Sequence, residues 1–441
     1  MMLDCRWSVH LRKLVTIAIY ILMVTTQGDS QDAQKNKKKV RPKYNCVCYY
    51  TNWSQYRPAP WNFLPENVDP MLCTHIAYAF ADLEGNQLKQ LQWNDETMYK
   101  RINNHKKINP FLKTLLSVGG ANLDLTKMTA MMSTSSNRAE FVETSIKFLR
   151  TWQFDGLDLD FEFPGAHGSP PDDKYRFSLL VADLRKGFNA EAFQFARTPL
   201  LLTAAVAAGK DTIDNGYEIE KIAPHMDFIN LMSYDFNGHW SNQTGHNAPL
   251  FPTKYDFNLN RLLNVNWAAN HWARNGMPRQ KINVGMPGYG RTFTLKSKER
   301  LGLRSPVNGA GKAGKYTKLD GFLSYFEVCR LLMRGGSRFW SNEQRVPIAI
   351  FEDQWVGYDD PESLMLKAQW VKRNRFGGVM IWALDLDDFL GRCGNEKYPL
   401  LNTLVDTLES KATSLQHKKY LFTFIVTSLC TLFIINISHL F

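Results

Sequence analysis

The sequence predicts an α/β fold: a parallel (β/α)8 barrel, the TIM-barrel architecture, with a small α+β domain inserted between its seventh and eighth strands. Two observations lead there. Short β-rich apolar runs recur eight times along the chain, and helix-length intervals separate them. Alternation of that kind builds a parallel sheet, and eight repeats close it into a barrel. The chain has 441 residues, 44% of them hydrophobic, so a large core is expected.

In chain order, residues 1–28 read as a secretory signal peptide. Arg12 and Lys13 precede the apolar stretch 14–24, which is shorter than the ~20 residues that span a bilayer. Residues 29–43 form a basic linker containing Lys35, Lys37, Lys38, Lys39, Arg41 and Lys43. This arm holds much of the net charge of +11. No nucleic-acid motif accompanies it, so it reads as a solvated linker and nucleic acid is not an expected partner. The strand runs are 46–50, 75–80, 114–118, 156–161, 200–205, 228–232, 282–285 and 378–382, with helices expected at 138–152 and 172–188 among others. The interval before the last run is longer than a barrel helix needs; its residues from about 291 to 354 are read as the insertion, walling one side of a cleft. The barrel domain spans 44–408, a polar spacer 409–419, and a hydrophobic tail 420–441. Small residues, a polar spacer and a terminal apolar stretch are the layout of a lipid-anchor (GPI) signal, with a transmembrane tail as the alternative. Membrane attachment, where it occurs, is expected through this tail. An exported protein, secreted or anchored at the cell surface, makes disulfides expected, and Asn52 and Asn242 head glycosylation sequons.

The chemistry is concentrated in the run Phe154-Asp-Gly-Leu-Asp-Leu-Asp-Phe-Glu-Phe-Pro164. On a strand, Asp158, Asp160 and Glu162 share one face, while Leu157, Leu159, Phe161 and Phe163 take the other. Stacked carboxylates cannot all ionise cheaply, so a proton is retained among them. An acid kept protonated beside an ionised neighbour suits cleavage of a glycosidic bond. A solvated acidic loop is disfavoured by the apolar residues between the acids, and a hard-cation site is the other rival. In a barrel of this kind chemistry sits at the C-terminal strand ends, where Glu162 falls.

The Asp-Gly-Leu-Asp-Leu-Asp-Phe-Glu run resembles the signature of family 18 glycoside hydrolases, the chitinases. Cys48-Tyr-Tyr-Thr-Asn-Trp53, His75-Ile-Ala-Tyr-Ala-Phe80 and Ser117-Val-Gly-Gly120 resemble that family's first three strands. Met232-Ser-Tyr-Asp-Phe236, Gly285-Met-Pro-Gly-Tyr-Gly-Arg291 and Met380-Ile-Trp-Ala-Leu-Asp-Leu-Asp-Asp388 resemble its sixth to eighth strand ends. The resemblance is to secreted animal chitinases and implies an endo-acting enzyme on β-1,4-linked N-acetylglucosamine polymers, acting with retention. Chitin or chitooligosaccharides are then the implied partner, with no cofactor, no metal and a monomeric chain. The implied mechanism is substrate-assisted: Glu162 protonates the leaving oxygen and later acts as base, and the substrate's acetamido carbonyl attacks to give an oxazolinium ion. Asp160 stabilises that ion, Asp158 holds a proton behind it, and Tyr234 bonds the acetamido oxygen. Trp382 is implied as the floor, Trp53 as a glycone-side platform and Trp240 as a leaving-side one. Tyr49, Phe80, Gly119, Asn122, Met232, Asp235, Tyr289 and Arg291 match cleft-lining positions. A sugar-binding lectin on the same scaffold and an enzyme trimming N-linked glycans are the alternatives.

Two departures from the family pattern stand out. Ala121 occupies a position where the family usually has Trp, and Asn237 replaces a frequent His. Both lie on the leaving-group side and leave the acids intact. The resemblance also implies disulfides Cys48–Cys73 and Cys329–Cys393. Cys46 is extra, expected as a buried free thiol on the face opposite Cys48.

Overall fold

A computed structural model describes residues 42–410. The signal-peptide reading, nearly all of the basic linker, most of the polar spacer and the hydrophobic tail therefore lie outside the described residues. Among those residues, no helix is long and apolar enough to cross a membrane.

Eight parallel strands close into a barrel: Asn45–Thr51, His75–Glu84, Lys113–Gly119, Gly156–Asp160, Leu201–Val206, Phe228–Leu231, Ile282–Pro287 and Gly378–Trp382. Each pairs with its neighbour in chain order, and the first strand pairs with both the second and the last. All eight fall on the expected runs within a few residues. The second strand is longer than its apolar run because it continues past Phe80 into a hairpin, turning at Gly85 to pair antiparallel with Gln87–Gln90. The helices Ser135–Thr151 and Asp173–Gln194 flank the fourth strand in sequence. Thr134 caps the first by accepting a bond from the Asn137 N–H, which satisfies one of the unpaired donors of its first turn.

The two faces of the fourth strand show why the fold presents its acids inward. Leu157 and Leu159, with Phe161 just beyond, are fully buried in the large core between barrel and helices. Asp158 and Asp160 alternate with them and point to the barrel interior beside Tyr49, Ala77, Leu115 and Met380. The strand ends at Asp160, leaving Glu162 at its C-terminal mouth.

Between the seventh and eighth strands stands an antiparallel sheet built on Tyr289–Leu295, Gln354–Gly357, Val346–Phe351 and Ser337–Ser341, with the helix Tyr325–Met333 against it. It begins directly after the seventh strand, so the insertion is slightly longer at both ends than the expected 291–354. Both expected disulfides are formed, Cys48–Cys73 and Cys329–Cys393, with Cα separations of 6.0 and 5.8 Å. The second ties the insertion's helix to the loop after the last strand. Cys46 is free and buried. It packs in the same core as Cys48, not on the opposite face. Residues two apart on a strand share a face, which corrects the expectation.

Candidate active site

A cleft of about 1110 Å³ opens over the C-terminal strand ends. Strand geometry delivers its acids in a graded line. Asp158 is deepest and fully buried, Asp160 is 2% exposed, and Glu162 is half-buried at the cleft wall.

Asp158 accepts four hydrogen bonds. Its Oδ2 takes the hydroxyls of Tyr49 at 2.7 Å and Ser117 at 2.8 Å. Its Oδ1 takes the Thr203 hydroxyl at 2.5 Å and the Asn230 amide at 3.5 Å. Ser117 and Thr203 stand directly beside Asp158 on the two neighbouring strands, so barrel register alone aims them at it. Burial pushes the Asp158 carboxyl up, and these donors pull it back toward the ionised form. Asp160 has no such support. Its Oδ1 is buried without a hydrogen-bond partner. Burial, then the Glu162 charge, then the Asp158 charge drive its carboxyl well above the usual range. The hydrogen bonds to Asp158 therefore favour negative charge on Asp158 over Asp160 in the free protein. Glu162 is pushed up to about 7, first by burial and then by the charge of Asp235.

The backbone beside the acids is closely fitted. Gly119 has φ 123°, and a Cβ there would lie 1.9 Å from the Asp160 carbonyl oxygen. Gly120 donates its N–H to that same oxygen at 2.8 Å. Only glycine allows the third strand's end to approach the acid strand so closely.

An aromatic surface covers the barrel mouth. Trp382 lies 5.3 Å from Tyr49, 5.9 Å from Phe80 and 6.2 Å from Trp53, ring centre to ring centre. Trp53 is 39% exposed and Trp240 55%, so both keep a free face. Asp235 is held by the insertion: Tyr289 donates to it at 2.8 Å, and Arg291 grips both its oxygens at 2.7 and 2.8 Å. The Arg291 guanidinium also lies 5.2 Å from the Trp240 ring centre. Tyr234 is buried at the same wall, where burial and the nearby acids raise its phenol well above the ordinary value.

Phe80, Gly119, Asn122, Met232, Asp235, Tyr289 and Arg291 line the cleft as expected, with Trp53, Trp240 and Trp382. Tyr49 does not. It is 1% exposed and lies behind the cleft as a donor to Asp158. Ala121 lines the cleft and is exposed, and Asn237 turns its amide onto the His246 carbonyl at 3.0 Å. Sequence reasoning missed Thr203 and Asn230 as partners of Asp158, and His167, Thr212 and Phe322 as lining residues. A polar residue in an apolar strand run, as at Thr203 and Asn230, was the available signal; His167 on a turn, Thr212 on a helix and Phe322 on an insertion strand gave none.

The sequon at Asn52 is closed. Its side chain is 0% exposed and donates to the Phe80 carbonyl at 3.0 Å and to Asp95 at 3.1 Å. A glycan there is incompatible with this fold, which corrects the expectation for Asn52. Asn242 is exposed. Among the described residues, no group of three or more His, Cys, Asp or Glu side chains could hold a metal ion.

Comparison with known proteins agrees with this geometry. The family model for glycosyl hydrolases family 18 matches residues 45–387. Chitotriosidase-1 of Mus musculus is 47% identical over 81% of this chain and 76% of its own length. The oviduct-specific glycoprotein of Mus musculus is 43% identical over 84% of this chain, which spans only 52% of that relative. Among solved structures, an immunomodulatory active chitinase from Trichuris suis superposes with a TM-score of 0.80 at 39% identity, covering 83% of this chain and 100% of that one. Human YKL-39, described as a pseudo-chitinase with retained chitooligosaccharide binding, does so with a TM-score of 0.80 at 40% identity, with the same coverage of both chains. The chain belongs to the glycosyl hydrolases of family 18.

Proposed function

We propose that the protein is an endo-acting chitinase that hydrolyses β-1,4-linked N-acetylglucosamine chains with retention. The observation that carries this reading is the graded acid line ending at Glu162, whose carboxyl stays protonated up to about pH 7 at the wall of an aromatic-floored cleft. An acid tuned to the operating pH is what leaving-group protonation requires. In the proposed reaction Glu162 gives its proton to the glycosidic oxygen as the bond from that oxygen to the anomeric carbon breaks. The acetamido carbonyl oxygen of the same sugar forms the new bond to that carbon, giving an oxazolinium ion. Asp160 passes its proton inward to Asp158 and, now ionised, accepts the acetamido N–H and balances the positive charge. Tyr234 holds the acetamido oxygen. Water then attacks the anomeric carbon as its bond to the acetamido oxygen breaks, losing its proton to Glu162, and the proton on Asp158 returns to Asp160.

A chitin-binding lectin is the reading that a pseudo-chitinase relative keeps in view, and the presence of all three acids argues against it here. The open cleft with exposed Trp53 and Trp240 favours a linear chain over a branched N-linked glycan. Export and an extracellular or cell-surface location are part of the proposal, resting on the N-terminal segment and on the disulfides. Incubating the purified protein with chitin oligomers and, separately, with an N-linked glycopeptide tests the substrate class. The proposal expects internal cleavage of the oligomers and no release from the glycopeptide; the reverse outcome would overturn it.

A further inference from the structure

A second cavity of about 470 Å³ adjoins the cleft at its Trp240 end, and the two share Phe236, Trp240 and Leu263 as lining. The rest of its lining is mainly polar, with Asn237, Gln243, Asp256, Asn260, Arg304 and Gln344 contributing. Its walls are pinned together. The Thr244 N–H donates to the Ser305 carbonyl and the Arg304 N–H to the Thr244 carbonyl, both at 2.9 Å, while the Leu250 N–H donates to the Gln344 carbonyl at 3.0 Å. The Arg304 guanidinium meets Asp256 at 2.5 Å, which neutralises both charges. Gln344 is 6% exposed, and its Oε1 is buried without a hydrogen-bond partner. A preformed cavity of this size falls in the ~300–1,000 Å³ range that takes a small-molecule-sized group. Side-chain amides at its surface, with the one guanidinium–carboxylate pair already satisfied, match hydroxyl and acetamido groups better than a charged or apolar ligand. Closer to the acids, Ala121 leaves the first leaving-side sugar without a stacking surface.

We propose that this cavity is an accessory sugar site, taking a neutral N-acetylglucosamine-type residue of a chain that has passed Trp240 on the leaving-group side. It anchors long substrates at a distance from the bond, where the position of Ala121 does not. The assignment rests on the chitin reading above.

The test is calorimetric binding of a chitin trimer and a chitin hexamer to the full-length Glu162→Gln protein, with and without the paired changes Gln243→Ala and Asn260→Ala. Asn260 is exposed, so Asn260→Ala alone serves as the second variant if the pair reduces Tm. The expected result is a roughly tenfold weaker hexamer, as two lost hydrogen bonds imply, with the trimer affected much less. Equal effects on trimer and hexamer, or none on either, would overturn the accessory site while leaving the chitin reading intact. Failure of either oligomer to bind the Glu162→Gln protein would instead remove the chitin reading. Asn242 also lines the cavity. A hexamer advantage that emerges only after enzymatic removal of an Asn242 glycan would assign the cavity to the protein's own glycan and overturn the proposal.

Discussion

Restoring an aromatic platform at position 121 should strengthen binding on the leaving-group side. Ala121 is exposed in the cleft wall, so Ala121→Trp requires no space in the core. The existing platforms calibrate the gain, Trp53 being 39% and Trp240 55% exposed. An indole side chain of about 250 Å² exposed to that degree offers roughly 100–140 Å². A sugar covers one face, or about 60 Å². At ~25 cal/mol per Å² this contributes about 1.5 kcal/mol, close to a tenfold change in affinity. The assay has two parts: pentamer affinity in a Glu162→Gln background, and product analysis of the active Ala121→Trp protein on an end-labelled oligomer. Pentamer binding should tighten about tenfold. Transglycosylation products should rise, because a better-held acceptor competes with water for the oxazolinium ion. The upper pH limit of activity should stay where Glu162 sets it. Unchanged affinity together with unchanged product ratios would refute the reasoning, and would mean that a neighbouring side chain already fills the space.

The pH profile gives an independent check. Glu162 must be protonated to act as acid, and its raised value of about 7 keeps it so through neutral pH. The kcat/KM profile should therefore fall as pH rises through about 7. Asp235→Asn removes the charge that helps hold Glu162 up, so that fall should move to lower pH; an unmoved or raised limit would contradict the assigned cause. Mass spectrometry of glycopeptides from the folded protein should find no glycan on Asn52, whose amide is enclosed. An occupied Asn52 in active protein would contradict the packing around Phe80 and Asp95.

Much of the fold was legible because barrel strands buried on both faces read as apolar runs, and eight of them with helical spacers leave few alternatives. The acids were legible for the same reason: period two in an otherwise apolar strand can only stack Asp158 and Asp160 on one face. Which of them is better supported as an ion was not legible. That depends on Thr203 and Asn230, on separate strands that reach Asp158 only through barrel closure, and on Tyr49, assigned to the cleft but lying behind it. The Asn52 sequon misled because three residues of sequence carry no burial. Lining residues such as His167, in the turn after the fourth strand, and Phe322, on a strand of the insertion, escaped for the same reason, since tertiary packing sets their positions.

The most direct test of the central claim compares the purified protein with Glu162→Gln on chitin hexamer, following cleavage and binding in parallel. Removing a general acid commonly costs ~10²–10⁴-fold in rate. The graded acid line predicts that Glu162→Gln loses at least that much turnover and still binds hexamer with near-native affinity, because the amide keeps the shape of the acid without its labile proton. Near-native turnover by Glu162→Gln, or no cleavage by the unaltered protein at any pH from about 4 to 7, would contradict it.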